Sequence, residues 1–431
     1  MAALSGIQID LWAVPSDGRL DVPGVPLRDL VLRDWKASAR DYDRIVYNLG
    51  NNSDYHRTVF EAYLAVPGVV VMHDRNMLGF FLNWLAPQGG MPPSSRGVRR
   101  FIALMNHYYG TGGNIAAQRL VLAEPGAFQR GGEWARYDLL EPCFANAVGL
   151  VTHSESALQA MSAHKPARLP TARLSLPFVD EGLMPEGDFL TRADLGLSRN
   201  RWILVSTGHL QPSKRVEVLL LAIGQSPLLR DRAVLVAVGD TQYAGTYEGD
   251  LRRLAHELGL DRSLIITGAL DVRHYLSYIH VADACAALRS TQFEAASATL
   301  AEQLYFGKPT LVNRTGVFAE VPDDVVIKID SKDEVGSTRR ALELLIEKPD
   351  LAARYAERAS IYAKDELSAA GYARGFIRFL DTLTCSQRLM MAVQEASDNL
   401  LTTASADSLD RLSWEYAQRI RGEAQCADPS R

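Results

Sequence analysis

Cysteine is scarce in this chain. The four present, Cys143, Cys285, Cys385 and Cys426, lie too far apart to make a zinc spacing or a disulfide framework. The expectation is a fold held by packing alone, in a reducing compartment. The histidines are also scattered and form no metal-ligand cluster with the cysteines, so no metal is expected. No apolar run approaches the roughly 20 residues that span a bilayer, and the N-terminus lacks a charged segment followed by an apolar one. The expected location is the cytoplasm, with peripheral contact at the inner membrane left open. Excess positive charge is missing too. Lys and Arg number 46 against 51 Asp and Glu, a formal net charge of −5, which offers no basic field for nucleic acid.

What the chain has in quantity is apolar residue, 47% of 431. That is enough for sizeable cores, and the length exceeds what one core usually serves, so two domains are expected. Short β-branched runs alternate with helical periodicity, the pattern of βαβ units and parallel sheets. Strands are expected over Ile7–Ala13, Arg44–Asn48, Gly68–Met72 and Gly149–Thr152. A second set is expected over Trp202–Ser206, Ala233–Val238, Leu264–Ile266, Ala284–Leu288, Thr310–Asn313 and Val325–Ile329. Between the sets, Phe178 to Arg201 is polar and rich in turn residues, which places a linker there. The expected division is a Rossmann-like domain over 1–178, a linker over 179–200, a second Rossmann-like domain over 201–370, and a helical return and tail over 371–431. In the tail, Leu389, Val393, Ala396 and Leu400, then Leu409, Leu412, Tyr416 and Ile420, recur with helical spacing, so two amphipathic helices are expected. Packing within the chain is expected around Tyr372–Leu383; for the rest, a homo-oligomer or partner interface is the alternative to packing.

The strongest pointer to chemistry is Glu294-Ala-Ala-Ser-Ala-Thr-Leu-Ala-Glu302. Ser297 suits the cap of a helix running to Phe306, with Gly307 at its stop and Pro309 just beyond. Glu294 then precedes the helix and Glu302 lies on it. Eight helical residues span about 12 Å, wider than the roughly 5 to 9.5 Å between two carboxyls that flank one glycosidic bond. The pair suits instead the two ends of an extended ligand, with the helix N-terminus facing a negative group between them. A nucleotide sugar, with its sugar, diphosphate and ribose, has that shape. The competing reading is a surface helix with solvated glutamates.

Further candidates sit at other strand ends. Gly208 follows an apolar run and precedes a helix, where glycine lets backbone approach a phosphate, and Lys214 supplies a cation at the helix start. In the first half, His73 and Asp74 close the run Val69-Val-Val-Met72, at the strand end where open α/β sheets bind ligands. A lone His is otherwise a structural residue. Asp74 either fixes its tautomer or caps the next helix. Asn51, Asn52 and His56 follow the strand ending at Asn48 and read either as an acceptor-side pocket or as turn chemistry. Asp41-Tyr42-Asp43 precedes its strand, the wrong end for a metal-binding Asp-x-Asp site. Gly110-Thr-Gly-Gly113 follows a helical pattern rather than a strand, so an acceptor-side loop is expected there rather than a dinucleotide fingerprint.

Several segments, taken in order, resemble retaining glycosyltransferases of the GT-B fold, in particular glycosyltransferase family 4. They are Ile203-Leu-Val-Ser-Thr-Gly208-His-Leu-Gln-Pro-Ser-Lys214-Arg215, Ala282-Asp283-Ala-Cys-Ala-Ala-Leu-Arg289, the paired glutamates, and Gly316-Val-Phe-Ala-Glu320. Tyr47-Asn-Leu-Gly-Asn-Asn52 with His56, and Pro67-Gly-Val-Val-Val-Met-His73-Asp74, resemble a bacterial branch. The resemblance covers roughly residues 7 to 380. It implies an α/β protein of two doubly wound Rossmann-like domains facing across a cleft. It also implies metal-independent transfer, in the EC 2.4 class, of a sugar from a UDP-, GDP- or similar sugar to a hydroxyl acceptor. The donor is a substrate and no cofactor is implied. The acceptor would be a glycan, a lipid-linked molecule or a small molecule, in bacterial polysaccharide or glycoconjugate synthesis.

The same resemblance implies that Glu294 holds donor-sugar hydroxyls, Glu302 the ribose, and Gly208, Lys214 and Ser297 the diphosphate end, with His73 touching the sugar. His209 stands where the family carries an arginine, and Arg215 is expected to replace that charge. The opening segment is similar to the family's second strand, so the first domain is expected to lack its first βα unit. That absence and the tail motivate a second reading, a non-catalytic GT-B subunit that stabilises a partner glycosyltransferase. A sugar phosphorylase is a third.

Overall fold

The computed structural model describes residues 6–14, 24–87, 95–123, 132–178, 188–241, 245–289, 293–383 and 390–392. They form two compact units, one made of the chain up to Leu174 together with the part from Ala373 onward, the other of Ser175–Tyr372. No helix among the described residues is long and apolar enough to cross a membrane.

In the first unit a short strand β1 (Leu11–Ala13) pairs in parallel with β2 (Leu27–Asp29). After the helix Leu32–Ser38 come β3 (Val46–Leu49), the helix Ser53–Ala65, β4 (Gly68–Met72), the helices Leu78–Leu85 and Arg96–Leu122, β5 (Ala147–Thr152), the helix Glu155–Ser162 and β6 (Thr171–Arg173). The last four strands make a parallel sheet in the order β3-β4-β5-β6. Every residue of β4 and β5 is buried, as central parallel strands covered on both faces must be. Phe60 packs against Tyr63, Phe80, Phe81 and Trp84 to fix the helices on one side.

Three expectations change here. The strand foreseen over Ile7–Ala13 is shorter and stays out of the four-stranded sheet. Its partner β2 carries Arg28 and Asp29, charges that hid it from the hydrophobic pattern, and Arg28 closes on Asp10 at 2.6 Å. Gly110-Thr-Gly-Gly113 is not a loop: it lies within Arg96–Leu122, and Gly110 (φ 61, ψ −152) supplies a kink there. The boundary at 178 moves as well. Phe178 stacks on Tyr305 (4.2 Å between centroids) and Phe189 on His280 (4.7 Å). Leu190 N–H donates to Ser277 Oγ, and Arg192 reaches Val281 O and Asp283. Residues 188–200, read as linker from their polarity, are therefore part of the second unit.

The second unit runs β7 (Trp202–Thr207), a 3-10 turn Pro212–Lys214, the helices Val216–Gly224 and Pro227–Arg232, β8 (Ala233–Val238), the helix Tyr247–Glu257, β9 (Leu264–Ile266) and the helix Val272–Val281. It continues with β10 (Ala284–Ala287), the helix Ala298–Tyr305, β11 (Thr310–Asn313), the helix Gly316–Glu320, β12 (Ile327–Ile329) and the helices Glu334–Glu347 and Pro349–Glu366. The sheet is parallel throughout, in the order β12-β11-β10-β7-β8-β9. The order in which strands are added reverses between β7 and β10, the switch point of a doubly wound sheet, where ligands bind at the carboxyl ends of the strands. The loops after β7 and β10 meet there.

The chain returns to the first unit within the helix Ala369–Asp381. Phe379 and Leu383 fill the space beside Gly149 of β5, where a Cβ would come within 3.0 Å of Phe379 Cζ. Arg44 donates to Leu383 O at 3.0 Å. The stretch around Tyr372–Leu383 thus packs within the chain. The tail helices expected over 389–400 and 409–420 lie almost wholly outside the described residues.

Candidate functional site

At the switch point, β7 ends at Gly208 (φ 106), a backbone conformation that L side chains avoid. A Cβ on Gly208 would stand 3.1 Å from Lys214 Nζ and 3.4 Å from Thr299 Cγ2. The glycine therefore lets the turn after β7, the Lys214 ammonium and the start of the helix Ala298–Tyr305 close on one point. Behind it, Gly239 (φ 141) lies so near that a Cβ would fall 2.4 Å from Gly208 O. Ser297 caps the helix, its Oγ accepting from Leu300 N–H at 3.3 Å, and the first-turn amides and macrodipole make that end attractive to an anion.

Lys214 is nearly enclosed, with 11% of its side chain exposed. Its Nζ stands 3.9 Å from Glu294 Oε1 and also feels the charge of Glu302. Burial and the neighbouring Arg289 bring its pKa down to about 8, against the pull of both glutamates. Tertiary structure thus brackets Lys214 between the two carboxylates that the sequence pairs. Glu294 precedes the helix and Glu302 lies on it, as their spacing implies.

Arg289, absent from the sequence reading as a site residue, anchors this group. It follows β10, is 4% exposed, and donates to Glu294 Oε1 at 2.8 Å, to Leu288 O and to Thr299 Oγ1. Its guanidinium lies over Phe318, and its backbone N–H donates to Asn313 Oδ1 at 2.6 Å. Burial pushes the Glu294 carboxyl upward, but Arg289 and Lys214 outweigh burial and leave it below the usual value. Glu294 Oε2 is buried with no hydrogen-bond partner among the described residues. A buried, ionised oxygen left unmatched beside a lysine is costly unless a ligand completes it. The signal that could have found Arg289 is its place: a polar residue directly after an apolar strand, like Gly208.

Glu302 is held differently. Tyr275 donates to its Oε2 at 2.6 Å, while burial raises the carboxyl despite Tyr275 and Lys214.

One expectation is corrected beside this site. Arg215 does not stand in for the family's arginine. It takes a left-handed turn (φ 57) and spends its charge on Glu334 and on Glu217 at 3.0 Å. His209 is exposed on the loop after β7.

The polar residues singled out in the first unit divide between structure and a histidine cluster. Asn52 caps the helix Ser53–Ala65 through Asp54 N–H, and Asn51 Oδ1 accepts from Phe80 N–H at 2.7 Å. Asn52 is thus a local cap, whereas Asn51 ties its loop to the start of the helix Leu78–Leu85. Asp74 accepts from Asn51 N–H at 2.7 Å, tying two strand-end loops together, and the ring nitrogens of His73 go elsewhere. His73 Nε2 lies 3.1 Å from Asn48 Oδ1, and its Nδ1 lies 3.2 Å from His153 Nε2. His56 Nδ1 faces Asn48 O at 3.1 Å. Burial, then the neighbouring imidazoles, press the His73 pKa down to about 3. Burial likewise lowers His56 and His153. His153 follows β5 as His73 follows β4, the same signal, and the sequence reading passed over it.

The sequence offers no metal-ligand cluster, yet the fold gathers Asp138, Glu141 and His164 with ligand atoms within 4.8 Å of one another. His164 Nε2 is 3.0 Å from Asp138 and Nδ1 is 2.7 Å from Glu141. These two carboxylates raise the imidazolium pKa to about 10. At these distances the imidazolium bridges both carboxylates as an ion cluster.

With this geometry in hand, similarity to known proteins can be placed on it. Residues 189–361, which contain Gly208, Lys214, Arg289 and both glutamates, match the family model described as glycosyl transferases group 1. Over 91 residues the chain is 40% identical to the D-inositol 3-phosphate glycosyltransferase of a Nocardioides species, a match spanning 20% of this chain and 20% of that protein. Among solved structures, WaaG, a glycosyltransferase involved in lipopolysaccharide biosynthesis, superposes with a TM-score of 0.54 at 16% identity, covering 87% of this chain and 92% of WaaG. Anabaena HepE in complex with UDP-glucose gives 0.57 at 16% identity, covering 83% and 86%. At such identities the superpositions show a shared fold, two Rossmann-like units of the GT-B kind.

Proposed function

We propose that this chain, a group 1 glycosyltransferase with the GT-B fold, transfers a sugar from a nucleotide-diphosphate sugar to a hydroxyl acceptor with retention of configuration and without a metal. The observation that carries this reading is the bracketing of Lys214 by Glu294 and Glu302 at a glycine turn and a helix N-terminus. Each feature suits one part of such a donor. The amides, the glycine turn and the Lys214 ammonium suit the diphosphate, whose charge grows as it departs. Glu294, ionised, with Oε2 buried and unmatched, suits the hydroxyls of the transferred sugar. Glu302, one oxygen already fixed by Tyr275, suits the ribose.

Proton transfer in this scheme needs no enzymic base, because the leaving phosphate takes the acceptor proton as the acceptor attacks from the same face. Buried charges in a dry site strengthen every such interaction. Bacterial polysaccharide or glycoconjugate synthesis is the setting we infer, in the cytoplasm, with a glycan, lipid-linked or small-molecule acceptor. The family resemblance supports that setting, and the UDP-glucose complex of HepE supports a nucleotide-sugar donor.

Thermal-shift titration with UDP, GDP, ADP and their sugar conjugates tests the donor half. Binding to the folded state at a hundred times the dissociation constant stabilises by about 2.7 kcal/mol, so one base should raise the melting temperature by several degrees. Anomeric analysis of the transferred sugar by NMR, with and without EDTA, tests retention and metal independence. A chain that melts unchanged with every nucleotide, or a product of inverted configuration, would sink the proposal.

A further inference from the structure

Behind Glu302 lies a line of hydrogen bonds that the proposed chemistry does not use. Gln303, wholly buried, donates through Nε2 to Thr207 Oγ1 at 2.9 Å. Thr207, at the end of β7, favours the ionised form of the Tyr275 phenol, the effect of a hydroxyl that offers its proton to the phenol oxygen. Tyr275, on the helix Val272–Val281, donates its only proton to Glu302 Oε2 at 2.6 Å, a length proper to a charge-assisted bond. An amide nitrogen can only donate and a carboxylate can only accept, so the line runs one way, from Gln303 to Glu302. The opposite Gln303 orientation would take the Thr207 proton and leave the tyrosine oxygen without a donor.

We propose that Tyr275 is a positioning residue for Glu302: its hydroxyl, aimed by Thr207 and Gln303, pins one carboxylate oxygen and so reserves the other for the ribose hydroxyls of a nucleotide. This rests on the nucleotide reading of Glu302. Three elements meet at the carboxylate. The helix Val272–Val281 presents Tyr275, the turn after β7 presents Lys214, and the helix Ala298–Tyr305 carries Glu302 itself. Burial favours the neutral acid, while the phenol and the ammonium favour the anion. A protonated Glu302 would offer a ribose a hydroxyl donor or a weak acceptor in place of the strong acceptor oxygen that Tyr275 leaves free. The phenol thus fixes both the orientation and the charge that a cis-diol requires. A tyrosine serving only to fill space would do neither.

Two measurements on the full chain separate this proposal from the reading beneath it. In the first, the Glu302 carboxyl carbon, identified by its loss in Glu302→Gln, is titrated by NMR without ligand. Tyr275→Phe should raise its midpoint by about one pH unit, and Thr207→Val by less. An unchanged midpoint in a cooperatively melting Tyr275→Phe overturns the positioning role. If that variant does not melt cooperatively, Thr207→Val is decisive with the same sign. In the second, calorimetry compares UDP, GDP and ADP with their 2′-deoxy forms. Wild type should prefer one ribonucleotide at least tenfold, and Tyr275→Phe should lose most of that preference, with the loss growing as pH falls. Wild type that binds each pair alike overturns the ribose role of Glu302. A ribose preference that Tyr275→Phe retains at every pH overturns the role of Tyr275.

Discussion

His153 Nε2 lies 3.2 Å from His73 Nδ1, and this contact together with the Leu174 carbonyl fixes the tautomer of both rings. His153 Nδ1 faces Leu174 O at 3.0 Å, and a carbonyl can only accept, so that nitrogen carries the proton. In the neutral ring Nε2 is then bare and accepts from His73 Nδ1–H. His73 Nε2 is left as a lone pair, to which Asn48 must turn its amide NH₂. Long-range proton–nitrogen NMR should show both histidines as Nδ1–H tautomers at pH 7. His153→Phe should abolish that preference at His73, and a wild-type Nε2–H spectrum for His73 would refute the assignment.

Stability should peak near pH 6.5 and fall on both sides, for opposite reasons. His56, His73 and His153 all have folded pKa values below 6.5, His73 at about 3. Their contribution is present above the unfolded pKa and is lost as pH drops from 6.5 toward 3, where only the unfolded chain takes up protons. His164, raised to about 10, contributes fully below 6.5 and loses its contribution as pH climbs through 10. Melting temperature measured across pH should show His164→Gln flattening the alkaline limb and His153→Phe the acid limb. Parallel curves for wild type and His164→Gln would exclude the ion cluster as the cause.

Lys214, with its pKa at about 8, should make nucleoside-diphosphate affinity fall as pH rises through 8, since only the ammonium attracts the diphosphate. Lys214→Arg stays charged throughout and should flatten the profile, although a planar fork will not replace a point charge in full. Glu294→Gln keeps the volume but leaves Arg289 and Lys214 less balanced. It should lower turnover by roughly a hundredfold or more, the loss typical for removing one charge-stabilising group, with nucleotide affinity changed far less. Transfer rates and calorimetric affinities, measured together, check both.

Gly239→Ala should be among the most damaging single-methyl changes in the second unit. The new Cβ meets Gly208 backbone at 2.4 Å and φ is 141, so the diphosphate turn itself must shift. A stability loss of about 1–3 kcal/mol follows from overpacking, with nucleotide binding lost as well. Gly268→Ala shares a positive φ of 71 but finds open space, so its cost should be smaller and its binding intact. Denaturant melts of the two variants give the comparison.

Periodicity and end signals made much of this fold legible in the sequence. β4, β8 and β11 stand where their β-branched runs predict, because a central parallel strand is apolar on both faces and cannot be mistaken for a half-exposed one. The cap at Ser297, the stop at Gly307 and the positions of Glu294, Lys214 and Gly208 are local properties, and the sequence carries them. β2 and β6 were missed because three residues each, half-buried Leu27 beside Arg28 and Asp29 in one and Thr171-Ala-Arg173 in the other, are too few and too polar to leave a hydrophobic pattern. Residues 188–200 read as linker because polarity says nothing of Phe189 and Arg192 finding partners about 90 residues away.

Distant contacts belong to the tertiary structure alone. Strand order β10-β7 sets Arg289 against Glu294 and both beside Lys214, 75 residues earlier in the numbering (289 − 214). It also lets Gln303 reach Thr207 and Tyr275 reach Glu302, brings His153 to His73, and sandwiches His164 between Asp138 and Glu141. Local sequence selects helix, strand and turn because those choices depend on near neighbours and short-range sterics. A charge's partner depends on which strands lie side by side, and that order is settled only when the two faces of the sheet are buried together.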